Sequence, residues 1–327
     1  MKFRLAVIRL ALVFLFSSLL AGPARAKDLN YGWPGPGSWT TLPFVVAGEK
    51  GFFEKEGVKV RMISFRGTNL MLAALLAGEI DFASYLPFFV GAAARGLPVK
   101  IVGSVAKSGG YAMIARPEIQ NMNGLKGKKI GINSFGSSAD FAAYMSVRGA
   151  AMDPNKDVTI VPMGGGTPER LAALASGAVD ATVITSPGEY AAEKQGFKIL
   201  VPMKELAKLA RIPLTGMAVT HKKIEREPDE IIRVLRAIRA ATALIQEQPE
   251  YGVALFERGM RLDRATAKEF YGLFRDQYNP ELSLPDSVVE ELLAVGTFRA
   301  KDKESIKVSI QAVRDWSFAE RARRSEK

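Results

Sequence analysis

Apolar residues fall into two regimes along this chain. Up to about residue 220, short apolar runs alternate with segments of helical spacing; from Glu227 onward helical spacing dominates. Residues 27–33 read as a first strand. It leads into the loop Trp33-Pro34-Gly35-Pro36-Gly37-Ser38-Trp39, where two prolines and two glycines forbid regular structure. Residues 40–50 predict a helix with Ser38 or Thr40 as N-cap and Gly51 as its stop. Strands are predicted over 58–65, 82–85, 99–106, 111–116, 130–133, 158–163, 181–185, 197–203 and 215–220. Residues 87–95 and a segment ending near Arg148 are helical, the latter closed by Gly149. Ile231, Leu235, Ile238, Thr242 and Ile245 share one helical face, with Arg233, Arg236 and Arg239 off it and Pro228 as an early helix residue. Residues 265–278 and 287–295 repeat that pattern.

One unit occurs twice. The stretch from Gly67-Thr68 to Asp81 aligns without a gap on that from Gly166-Thr167 to Asp180, 99 residues later, with eight of fifteen positions identical. A strand precedes and follows each copy, so each is a strand, Gly-Thr turn, helix, Gly-x-x-Asp turn and strand, a βαβ motif. Two copies this far apart predict two similar α/β lobes rather than a solenoid. Clefts between lobes are where small ligands bind.

Composition narrows the function. Lys2, Arg4 and Arg9 precede an apolar run over 10–21, and Gly22-Pro23 leads to Ala24-Arg25-Ala26. This is the layout of a secretory signal, with cleavage expected after Ala26 and a periplasmic mature chain starting at residue 27. The run is shorter than the ~20 residues of a membrane span. The chain has no cysteine and one histidine, His221, which removes disulfides, thiolate chemistry, a lipid-attachment cysteine and a multi-histidine metal site. The formal charge of +11 falls to 11 − 4 = +7 once Lys2, Arg4, Arg9 and Arg25 are removed. With export and scattered basic residues, nucleic acid is not an expected partner, and the basic run at 321–327 reads as a solvated tail.

Four segments carry a family resemblance. They are Gly48-Glu49-Lys50-Gly51-Phe52-Phe53-Glu54-Lys55-Glu56-Gly57-Val58, Leu75-Leu76-Ala77-Gly78-Glu79-Ile80-Asp81-Phe82-Ala83, Leu125-Lys126-Gly127-Lys128-Lys129-Ile130-Gly131 and Leu174-Ala175-Ser176-Gly177-Ala178-Val179-Asp180-Ala181. Together the chain resembles periplasmic solute-binding proteins of the nitrate, sulfonate and taurine type, kin to the binders of thiamine-pyrimidine precursors. The resemblance covers the expected mature chain to about residue 250 and, more loosely, its C-terminal helices. It implies an α/β, two-lobed type II periplasmic binding fold, each lobe a mixed sheet flanked by helices, with two crossings as hinge. The lobes would be 27–112 plus 215–327, and 113–214. Ser108-Gly109-Gly110 and Pro213-Leu214-Thr215-Gly216 supply breaks at both boundaries. The implied role is the substrate-binding component of an ABC importer, a monomer that captures a small polar or anionic solute and docks on membrane permease subunits, with no cofactor.

Candidate ligand contacts follow from their places at strand ends, where α/β folds bind ligands. Gly67, Thr68 and Gly165, Thr167 sit at the two repeated turns; they are helix caps, ligand contacts, or both. Ser134, Phe135, Gly136, Ser137 and Ser138 place three hydroxyls and a glycine between a strand and a helix, a combination suited to an anion. Trp33, Ser38 and Trp39 bracket the first rigid loop, and one tryptophan at least is expected in the cleft. Tyr85, Tyr111 and Ser186 follow or flank other strands. Asp81 and Asp180, equivalent in the repeat, are expected to hold turns rather than do chemistry. Gly164-Gly165-Gly166 lacks the Gly-Lys-Ser/Thr of a phosphate loop. Arg66, Lys107, Arg116 and His221 are expected on solvated surface. No catalytic group stands out; an enzyme on the same fold, or a sensory ligand module, is the alternative to the importer component.

Overall fold

The computed structural model describes residues 27–33, 38–65, 67–186, 188–209, 212–297 and 308–324. The signal-like segment, the loop interior 34–37 and Arg66 lie outside the described residues. Two five-stranded sheets form the frame. The first has the order β2-β1-β3-β10-β4, from β1 (Lys27–Trp33), β2 (Val58–Ser64), β3 (Phe82–Ala83), β4 (Val99–Ser104) and β10 (Gly216–Thr220). The second has the order β7-β6-β8-β5-β9, from β5 (Tyr111–Ala115), β6 (Lys129–Ile132), β7 (Thr159–Pro162), β8 (Ala181–Thr185) and β9 (Lys198–Val201). In each sheet the fourth strand, β10 or β5, runs antiparallel to both neighbours, and the first three are mutually parallel.

The sequence repeat is a repeat of hydrogen bonds. Asp81 accepts from the Asn30 amide at 2.8 Å and donates its own amide to the Asn30 carbonyl. Ninety-nine residues on, Asp180 does the same with Lys129, at 2.9 Å for the carboxylate bond. Each aspartate therefore docks the start of the third strand on the first strand of its lobe, in the middle of β1 and at the start of β6. The helices Thr68–Ala77 and Thr167–Ala175 fill the two crossovers.

The chain passes between sheets twice, from β4 to β5 and from β9 to β10. The passages touch: a Cβ on Gly109 would lie 2.3 Å from the Ile212 carbonyl oxygen, so only glycine fits there. The C-terminal helices cover the first sheet. In the helix Pro228–Glu247, Ile231, Leu235, Ile238, Thr242 and Ile245 are all buried, as their spacing predicts. The predicted helix over 40–50 is a 3-10 turn, Trp39–Thr41, followed by the helix Leu42–Glu49, and Gly51 opens a further turn of helix at Phe52–Lys55. His221 is exposed, Lys107 donates to the Asp276 carbonyl, and Arg116 pairs with Glu118.

One buried cation ties the first lobe together. The Lys223 ammonium, 6 % exposed, bonds Asp81 at 2.8 Å, Glu227 at 2.6 Å and Glu230. Lys27 completes the network with Glu227 and Glu230. The three carboxylates lie close enough to hold a metal ion, but here the lysine ammonium is their cation. Lys223 and Lys27 hold the Glu227 carboxyl at about 2, below its ordinary 4.5. A depressed carboxylate contributes stability that is present above the ordinary value and lost as pH falls through the folded one. Melting temperature should therefore drop between about pH 4.5 and 2, and less steeply in E227Q. Lys223→Met leaves three carboxylates without that charge and should cost about 3 kcal/mol in urea unfolding.

Candidate functional site

The carboxyl ends of the parallel strands of both sheets face a cleft of about 460 Å³. Antiparallel β5 and β10 begin at that same edge, so Tyr111 and Thr215 join the lining. The first lobe contributes Ser38, Thr40, Ser64, Phe65, Tyr85, Leu214 and Thr215. A chain of hydroxyls runs across this wall, Ser38 to Thr40 at 2.8 Å and Thr40 to Thr215 at 2.6 Å. Tyr85 adopts a left-handed backbone, φ 69° and ψ 65°, a conformation costly for a bulky side chain. Flanking bonds, Ser84 to the Gly32 carbonyl and Leu86 to the Leu214 carbonyl, both at 3.0 Å, hold it there.

The second lobe contributes the turn 165–171 together with Tyr111, Asn133, Ala139 and Thr185. Positive φ at Gly164 and Gly165 turns the chain back, and the Gly166 amide donates to the Glu169 carboxylate at 2.7 Å. Behind the turn lies Arg170, 4 % exposed. Its Nε donates to the Val183 carbonyl at 3.0 Å, with longer contacts to the Gly165 carbonyl at 3.5 Å and the Thr167 hydroxyl at 3.4 Å. Among the described residues no carboxylate forms an ion pair with it. Burial lowers its proton affinity, and the field of Tyr111, Tyr85 and Glu169 opposes that. A guanidinium keeps its charge even so.

Burial pushes the Tyr85 phenol up to about 12, against the pull of Arg170, and raises the Tyr111 phenol as well. Both therefore remain neutral hydroxyls beside the cation. One uncompensated guanidinium, two phenols and a hydroxyl chain form a site for one negative charge or strong acceptor. Phe65, Leu171 and Leu214 supply the apolar part.

Of the residues singled out in the sequence, Ser38, Tyr85, Tyr111, Gly165 and Thr167 line this cleft. Thr68 and Ser134 do not; their hydroxyls, 3.3 Å apart, bridge the two lobes. Gly67 is the N-cap of the helix Thr68–Ala77 rather than part of the lining. Trp39 is a core residue, 1 % exposed, stacked on Phe274 at 4.6 Å and edge-on to Tyr278 at 5.2 Å. Trp33 packs half-buried against the same core. Trp39 thus lies in the core, while Trp33, half-buried at the end of β1, is not among the residues that line the cleft.

Part of the serine loop bonds within itself. Ser137 caps its helix through the Asp140 amide at 3.1 Å and donates to Asn133, and Asp140 accepts from the Gly136 amide at 2.9 Å. Ser138 is buried, and Phe135 projects to solvent, 47 % exposed. Ser186 is also buried and donates its hydroxyl to Glu189. Arg170 was not among the sequence candidates, although a signal existed. It aligns in the repeat with Met71, a fully buried core residue, so a charge stands where the other copy has an apolar side chain.

A two-lobed α/β frame with a cleft at its strand ends defines the class of periplasmic-type binding proteins. The chain belongs to the NMT1/THI5-like family, whose model matches residues 39–251. A Bacillus subtilis (strain 168) protein named for aliphatic sulfonate binding is 26 % identical over 97 % of this chain and 96 % of its own. The alkanesulfonate-binding protein SsuA from Xanthomonas axonopodis pv. citri, solved with MOPS, superposes with a TM-score of 0.69 at 18 % identity, covering 90 % of this chain and 100 % of that one. The nitrate-binding protein NrtA from Synechocystis PCC 6803 gives 0.72 at 13 % identity, covering 92 % and 89 %.

The turn before Arg170 is testable by itself. In Gly165→Ala the new Cβ would lie 2.6 Å from Glu169 Cγ at a φ of +66°. Chemical denaturation should show a loss of about 1–2 kcal/mol. A loss within experimental error would mean that the turn relaxes freely.

Proposed function

We propose that this chain is the substrate-binding component of an ABC importer, specific for a small organic anion. The observation that carries the reading is Arg170, a buried guanidinium at the cleft with no carboxylate partner among the described residues. A solute bearing one sulfonate or carboxylate supplies the missing charge. The cleft, about 460 Å³, exceeds what a bare inorganic oxyanion fills, and Phe65, Leu171 and Leu214 favour a solute with an aliphatic or planar body. Its two lobes close on the solute about the two crossings. Their bounds are shifted from 112/113 and 214/215 to 27–110 plus 214–327 and 111–213, because Tyr111 opens β5 of the second sheet and the Leu214 carbonyl accepts from the Leu86 amide of the first lobe. The closed form is what a membrane permease recognises. The protein acts as a monomer, exported after cleavage behind Ala26. Binding rather than catalysis fits the site: its phenols are neutral, its guanidinium stays charged, and Glu169 is engaged by the Gly166 amide.

Thermal shift and calorimetry with alkane- and arylsulfonates, organic carboxylates, nitrate and neutral pyrimidines test this. Organic anions should raise the melting temperature most. Arg170→Met should remove that response, weakening binding by about 2 kcal/mol or more. The unliganded variant should melt at the same temperature or higher, because an unpaired buried charge has been replaced by an apolar side chain. A response only to neutral pyrimidines, or anion binding unchanged in R170M, would overturn the reading.

A further inference from the structure

A second cavity lies between the lobes, away from the solute cleft. Two hollows of about 170 and 250 Å³ share Met203, Lys204 and Leu273, so they form one groove. It runs between the helix Met203–Leu209 of the second lobe and the helix Arg264–Phe274 of the first. The hinge residues Ser108 and Gly109 line its larger end. At its smaller end Tyr190 and Phe270, one from each lobe, meet edge to face at 4.8 Å.

Glu189 also lines this smaller end and is only 4 % exposed. Its Oε1 accepts from the Ser186 hydroxyl, while its Oε2 has no hydrogen-bond partner. Among the described residues no cation pairs with it. Burial raises the affinity of this carboxyl for its proton. Its surroundings are electronegative: besides burial, the carboxylates of Glu269, Glu189 and Glu193 raise the Tyr190 phenol above its ordinary value. The cations nearby are Lys204, exposed on the groove's lining, and Lys194, which faces Asp263 at 3.9 Å. A neutral, purely structural glutamic acid accounts for the burial. It does not account for an open groove with aromatic walls beside an unsatisfied carboxyl oxygen.

We propose that this groove is a second ligand site, which takes a small organic ammonium, its nitrogen on Glu189 and its apolar body against Tyr190 and Phe270. A carboxylate beside aromatic rings is the chemistry that holds such cations. The walls belong to different lobes, so an occupant there senses their separation.

Benzylamine and benzyl alcohol, which share a ring and differ in charge, are the probes. By calorimetry at pH 7.5 the purified protein should bind the amine about tenfold or more tightly than the alcohol, the scale of one charge-assisted hydrogen bond. That preference should vanish in E189Q and persist in E169Q, which removes the carboxylate of the solute cleft. Equal affinities, a preference surviving in E189Q, or one lost in E169Q would each overturn the proposal. Should E189Q fail to fold, a benzylamine-soaked crystal of the unaltered protein decides. Density beside Glu189 supports the site, and density absent there overturns it.

Discussion

Parallel strands joined through helices all end on the same edge of their sheet, and the rest of this molecule is arranged around that constraint. In both sheets three parallel strands deliver their loops to one edge. The antiparallel strand beside them starts where they finish, so the chain enters each lobe at the rim of the cleft. Tyr111 and Thr215 reach the site for that reason alone, one residue at the beginning of β5 and one just before β10. The contact of Gly109 with the Ile212 carbonyl keeps the two passages side by side.

Two buried cations show how differently the same electrostatic problem is solved at the two ends of the frame. Taking an ammonium or guanidinium out of water costs several kcal/mol unless partners replace the solvent. Lys223 has three carboxylates and lies at the strand starts, far from any ligand role. Arg170 bonds two carbonyls and a hydroxyl, none of them charged, and the Glu169 carboxylate acts on it only through its field, without an ion pair among the described residues. The first arrangement is complete as it stands. The second is incomplete, and a protein retains such a site at the expense of stability only where something else completes it.

How far these features can be seen in the sequence depends on how local their causes are. Asp81 and Asp180 were legible because their partners, Asn30 and Lys129, obey the same 99-residue offset. The buried face of the helix Pro228–Glu247 follows from spacing within one element. Trp39 was not legible, because Phe274 and Tyr278, which enclose it, lie more than 200 residues away. In the serine loop the near-chain partners Asn133 and Asp140 engage only the Ser137 hydroxyl and the Gly136 amide, while the Ser134 hydroxyl reaches Thr68, 66 residues earlier in the chain. Arg170 was hidden by its setting, an arginine in a helix of otherwise ordinary composition. Only its alignment with buried Met71 marks it, and that comparison carries meaning once both helices are known to pack alike.

The duplication makes the lobes alike in topology and leaves their cleft walls chemically unlike. Among the described lining residues the first wall has hydroxyls, Phe65 and Leu214 and no charged side chain, and the second has Arg170 and Glu169. In the proposed reading the solute is therefore oriented, its anionic head toward the second lobe and its body toward the first. An anion held by Arg170 alone would bind open and closed forms equally and could not drive closure. Differential affinity has to come from the other wall. Tyr85 is the residue placed to provide it, since it lines the cleft from the first lobe while Arg170 lines it from the second. The left-handed backbone at Tyr85 gives that placement a physical cost, which an interaction spanning both lobes would repay.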